Sequence, residues 1–134
     1  MSRVRRAGSE EVAAVLSVLD GAALATDHDA VAAATEAGEV FVATPDRERA
    51  GAGPVVGALV RDGEAIRAVA VRPGRRGQGI GRALVRAAAA DRDRLVATCD
   101  AGVAPFYRAL GFELSRVEPT AGTERVRGIR RSGG

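Results

Sequence analysis

The apolar positions near the start of the chain follow a helical period, with Val12, Val15, Leu16 and Leu19 at the i, i+3, i+4, i+7 spacing of one face. Ser9 is then the cap of that helix, Glu10 and Glu11 carry charge suited to a helix N-terminus, and Gly21 ends or bends it. A short strand over Val4 to Arg6 comes before it. Asp27 to Ala37 predicts a second, shorter helix, capped near Thr26 or Asp27 and stopped by Gly38.

After Gly38 the period changes. Val40, Phe41 and Val42 form a β-rich run that ends at Pro45, and Asp46 to Pro54, with its charges and glycines, reads as a loop. Val55 to Val60 is a further strand, and Asp62-Gly63 is a hairpin signal before a strand from Glu64 to Val71. The helical period returns at Gly79, with Ile80, Leu84, Val85 and Ala88 on one side. Leu95 to Cys99 is a short apolar strand, Val103 to Leu110 a helix stopped by Gly111, and Phe112 to Val117 with Glu124 to Arg130 a closing pair of strands. The order predicts the α/β class (α+β), with helices laid on a sheet.

Composition narrows this picture. The 134 residues fit one domain, 1–134, and the 46% apolar but 3% aromatic content means a core of Ala, Val, Leu and Ile. All 20 basic residues are Arg, and the net charge of +3 helps attract a polyanionic small molecule. It falls short of a nucleic-acid footprint, so no nucleic-acid partner is expected, and Arg125 to Arg131 reads as a solvated edge strand charged against edge pairing. The single Cys99 reads as a buried strand residue, and His28 as a surface helix residue; one His and one Cys support no metal site. With no apolar leader and no run of 18 apolar residues, the expectation is a cytoplasmic protein with no membrane partner.

The chemically informative stretch is Val71-Arg72-Pro73-Gly74-Arg75-Arg76-Gly77-Gln78-Gly79-Ile80-Gly81-Arg82, a strand running through a glycine-rich turn into a helix. Unpaired backbone N–H groups at such a helix start, reinforced by the helix dipole, form an anion site that a pyrophosphate fits. Gly77, Gly79 and Gly81 remove β-carbons from its approach, and Arg76 and Arg82 can add charge-assisted hydrogen bonds. A Walker loop would need Lys, which the chain lacks, and the Gly77, Gly79, Gly81 spacing is not that of a dinucleotide fingerprint.

Arg76-Gly77-Gln78-Gly79-Ile80-Gly81 after Val71-Arg72-Pro73, together with Phe106-Tyr107-Arg108-Ala109-Leu110-Gly111-Phe112, resembles the acetyl coenzyme A signature and the second motif of the GNAT superfamily of acetyltransferases. The resemblance implies a mixed, mostly antiparallel central sheet of about six to seven strands flanked by about four helices. It implies acetyl-CoA as co-substrate, with Val69, Ala70 and Val71 against the pantetheine arm and Arg76, Gly77, Gln78, Gly79, Ile80, Gly81 and Arg82 at the pyrophosphate. The strands Glu64 to Val71 and Leu95 to Cys99 would splay to admit the thioester, with an amine, from a small molecule or peptide, entering from the opposite side.

Tyr107 is the family-matched general acid, since a phenol of pKa about 10 can protonate a thiolate whose conjugate acid is about 8.5. The base is left between Glu64 and Asp100, through water, or an amine that arrives neutral. Arg67, by strand alternation on the face of Val69 and Val71, is a candidate for binding a carboxylate of the acceptor. The alternative is a non-catalytic acyl-CoA-binding or regulatory module, which would keep the turn without needing Tyr107. The closing strands offer an edge for a homodimer.

Overall fold

The protein is described from a computed structural model over residues 2–21, 27–45, 54–75, 77–100, 104–120 and 123–131, with residues 2, 21, 99, 100, 117–120 and 123–125 described in their backbone alone. These form β1 (Ser2–Arg6), α1 (Val12–Gly21), α2 (His28–Glu36), β2 (Val40–Pro45), β3 (Gly57–Asp62), β4 (Ala65–Val71), α3 (Ile80–Ala89), β5 (Arg94–Asp100), α4 (Ala104–Ala109), β6 (Glu113–Thr120) and β7 (Thr123–Arg131). The seven strands make one sheet in the order β1-β2-β3-β4-β5-β7-β6, antiparallel except where β4 meets β5. The predicted loop at Asp46 to Pro54 lies outside the described residues apart from Pro54.

The sheet is covered on both faces along β2 and β3, which is why those strands read as continuous apolar runs rather than alternating ones. On one side Phe41, Leu59, Ile66 and Leu95 pack under Ile80, Leu84, Val85 and Ala88 of α3 and Tyr107 of α4. On the other, Val40, Val42, Ala58, Val60 and Ala68 pack under Val15, Val18 and Leu19 of α1 and Val31 of α2. Among the described residues no helix is long and apolar enough to cross a membrane.

Two expectations change. The first helix is entered through a single 3-10 turn, Ser9–Glu11, whose N-cap is Gly8 rather than Ser9. There the Glu11 carboxylate accepts the Gly8 N–H at 2.9 Å and binds Arg5 of β1, fixing the strand-to-helix corner with an acid instead of a hydroxyl. This pairing holds the Glu11 carboxyl below its ordinary range, chiefly through Arg5.

The second change concerns the Arg-rich last strand, which is not an edge. β7 runs between β5 and β6 and pairs with both, leaving β1 and β6 as the edges. Gly128 permits this, since a Cβ there would stand 2.8 Å from Leu114 Cδ2 and 3.2 Å from Phe112 Cβ.

A charged group also sits where the pattern gave no warning. Arg61 is 1% exposed. It donates to the Glu39 carboxylate and the Ala88 carbonyl, forks onto Asp91 at 2.7 and 3.2 Å, and lies 5.0 Å from the Phe41 ring centroid. Arg6 reaches the same Asp91 at 2.7 Å, and Arg92 joins Glu39 at 2.9 Å. This network ties β1, the β2 entrance, β3 and the end of α3 together, and it holds the Asp91 carboxyl at about 2, with the Arg61 hydrogen bond as the largest cause.

Candidate functional site

β4 and β5 are registered only at Ala65↔Val96 and Ile66↔Ala97; beyond these pairs no ladder joins them. The gap that follows opens onto a groove of about 580 Å3 between the second half of β4, the start of α3 and α4. Its walls carry Val69, Ala70, Val71, Gly77, Gly79, Ile80, Gly81 and Arg82, all expected as donor contacts from the sequence. Arg76 lies outside the described residues, and Gln78 is exposed on the turn without lining the groove. Arg75, Phe106, Ala109 and Leu110 complete the wall and were not anticipated. The i, i+3, i+4 spacing of the last three was the available signal that α4 presents one face there.

The glycines have two different reasons. Gly77 and Gly79 take φ of +79° and +80°, the left-handed region that other residues enter at a cost, and a Cβ on either would meet nothing within 4 Å. Gly79 is the N-cap of α3 and supplies no side-chain cap, so the first N–H groups of a ten-residue helix are left facing outward beside Arg82. Gly81 is different: a Cβ there would come within 3.1 Å of the Phe106 ring, so this glycine lets α4 close against α3. An open set of backbone donors at a positive helix end, edged by Arg75 and Arg82, fits a pyrophosphate, and the apolar wall of Val69, Val71 and Phe106 fits an extended aliphatic arm.

The expected catalytic residues are not all brought together. Tyr107 is 5% exposed and does not line the groove; its ring stands edge-on between Phe106 at 5.0 Å and Phe112 at 5.1 Å, directly behind the groove wall that Phe106 forms. Glu64 lies far from the gap. It lies at the closed end of the β4–β5 pair, where its carboxylate binds Arg94 at 3.0 Å and its carbonyl accepts the Val96 N–H at 2.7 Å. Register sets it level with Leu95, five residues from Asp100 and so roughly 16 Å from the splayed end of β5. Asp100 ends β5 at that splayed end, with its side chain outside the described residues.

Arg67 lies on a different face of the sheet from the one expected. Val60 pairs with Ala68 and Arg61 with Ile66, so Arg67 is an extra, unpaired residue of β4. The bulge breaks the alternation that would have set Arg67 with Val69 and Val71. It instead lines a hollow of about 560 Å3 on the opposite side of the sheet, beside Ala33, Ala34 and Ala37, and pairs with Asp62 at 3.2 Å in solvent. His28, also expected at the surface, is exposed and 3.7 Å from Asp29.

Residues 36–114 match the family model of the acetyltransferase (GNAT) domain, which spans more than half the chain. No curated protein matches the chain in sequence. Among solved structures, the fold is similar to the ribosomal-protein-S18-alanine N-acetyltransferase from Escherichia coli, at TM-score 0.71 and 17% identity over 98% of this chain and 94% of that one. It is similar to Rv2747 from Mycobacterium tuberculosis in complex with CoA, at TM-score 0.68 and 20% identity over 96% and 98% of the two chains. It also resembles the diaminobutyrate acetyltransferase EctA from Paenibacillus lautus in complex with L-2,4-diaminobutyric acid and coenzyme A, at TM-score 0.69 and 14% identity over 98% and 95%.

Proposed function

The chain belongs to the GNAT family of acetyltransferases, and from that premise we propose that it passes the acetyl group of acetyl-CoA to a primary amine by direct attack, all its elements acting as one domain. The observation that carries this reading is the uncapped start of α3 at the end of an apolar groove that leads to the β4–β5 gap. The N–H groups after Gly79 and Arg82 bind the pyrophosphate, Arg76 adds its charge, and the strand segment Val69 to Val71, which lines the groove, holds the pantetheine arm. Amine-binding relatives of the same fold, such as the diaminobutyrate enzyme, support the acceptor class.

In the transfer, the amine nitrogen forms a bond to the acetyl carbon, the carbon–sulfur bond breaks, the nitrogen loses a proton and the thiolate gains one. We assign the proton returned to sulfur to Tyr107, the chain's sole tyrosine, whose ring abuts the groove-lining Phe106. Asp100, at the open end of β5, is the carboxylate that takes the proton from the amine, and Arg67 binds the acceptor from the β4 bulge. The burial of Tyr107 favours a second reading, an acyl-CoA-binding module without catalysis.

Thiol release from acetyl-CoA across an amine panel separates the two. Tyr107→Phe keeps both ring contacts and removes only the hydroxyl, so the expected result is a fall in kcat of about a hundredfold with an unchanged CoA affinity. An unaltered kcat at every pH would remove the acid role, and CoA binding without thiol release from any amine would select the module.

A further inference from the structure

Among the described residues, helices pack on only part of the sheet face that lies opposite the groove. The cluster under α1 and α2 takes in residues of β2, β3 and β4 and none of β5, β7 or β6. Register fixes what the uncovered part displays. Leu95 and Ala97 are buried on the groove side, so Arg94, Val96 and Thr98 lie on the other. Their partners Arg131, Ile129 and Arg127 on β7 share that face, and Glu113 and Ser115 of β6 continue it.

One cross-strand row is of interest for chemistry: Ser115, Arg127 and Thr98, all exposed and directly registered with one another. Thr98 is the first position of its face past Ala97, where the β4–β5 ladder ends, so the row stops at the edge of the gap. Across the gap, the bulged Arg67 follows Ile66 and lies on the same side of the sheet as this row, with β5 between it and Arg127. Arg94 is tied to Glu64, but among the described residues Arg127 and Arg131 have no ion-pair partner. The mouth of the gap is thus flanked by an exposed Arg on each side, with two hydroxyls beside the unpaired one.

We infer that the acceptor is an amine carrying a carboxylate, as in an amino acid, and that Arg127 with Thr98 and Ser115 is the specificity-determining element that binds this carboxylate. The inference rests on the proposed acetyl transfer, because the row matters only if the acceptor approaches the gap from this face. It differs from the role of Arg67, whose guanidinium is already shared with Asp62, whereas among the described residues no carboxylate pairs with Arg127. A guanidinium meeting a carboxylate in a forked geometry, assisted by hydroxyl donors, discriminates against an amide of the same shape because the charge is lost while the size is kept.

The test is titration calorimetry on the CoA-saturated protein with L-alanine, L-glutamate, L-lysine and L-phenylalanine against their α-carboxamides, after CoA itself has been titrated into the same sample. At least one amino acid is expected to bind about tenfold or more tightly than its carboxamide, and Arg127→Gln to abolish that preference. Arg131→Gln, two residues along the same face, is expected to change it less than twofold. Equal binding of acids and carboxamides by the unmodified protein, absence of binding by both, or a preference that survives Arg127→Gln would overturn the inference with the donor site intact. Failure of CoA to bind would instead remove the donor-site reading and the inference with it.

Discussion

The two ends of α3 are treated in opposite ways. At its start the helix has a left-handed glycine cap, no side-chain acceptor for its first N–H groups and an open groove in front of them. At its end the carbonyl of Ala88 is taken by Arg61, which is locked in turn by Glu39 and Asp91. The first N–H groups of the helix have no side-chain cap although Ile80 packs in the core, whereas the carbonyl end is tied to a buried guanidinium. Ligand binding is thus assigned to the backbone groups at one end of the element and anchoring to those at the other, and a change at the anchored end should lower stability without touching CoA affinity.

The largest expected effect is at the anchored end. Arg61→Ala leaves Glu39 and Asp91 without their buried partner and should lower unfolding stability by about 3 kcal/mol, read as a fall in the denaturant midpoint. CoA affinity of the folded fraction should not change. A variant as stable as the parent would show that the network is ornamental to the fold.

At the open end, Gly79→Ala forces a side chain into φ of +80° and should cost about 1–2 kcal/mol of stability while weakening CoA binding as the turn relaxes. Loss of stability with CoA affinity intact would break the assignment of the turn to the ligand.

A smaller effect is expected from acid. The Asp91 carboxyl is lowered from an ordinary 3.8 to about 2 in the folded protein, so its contribution to stability is complete above about pH 4 and is lost as the pH falls through about 2. Stability measured between those values should decline more steeply in the parent than in Asp91→Asn. Smallest of all is Glu64→Gln: the carboxylate is tied to Arg94 at the closed end of the strand pair, so kcat should change less than twofold.

Much of this was legible in the sequence for a physical reason. Elements set by local chemistry, such as the i, i+3, i+4 face of α3, the hairpin at Asp62-Gly63 and the glycine turn, announce themselves within a few residues. The donor groove was legible because it is built from such a turn and from backbone groups. What depended on partners far along the chain was not. Arg61 in an apolar strand gives no local sign that Glu39 and Asp91 will close on it. The bulge that turns Arg67 to the other face appears only when β3 and β4 are set in register, and the inner position of β7 only when both its neighbours are known. The acceptor side, made of side chains on long-range strand pairs, is for that reason the part that sequence reads least well.

The most direct test of the central claim is a backbone amide chemical-shift titration of the isotope-labelled protein with CoA. The largest shifts are expected on Gly77 and Gly79 to Arg82, at the open end of α3, with the Ala88 to Asp91 end nearly unmoved. Shifts concentrated at the anchored end, or spread evenly with no maximum at the glycine turn, would contradict it.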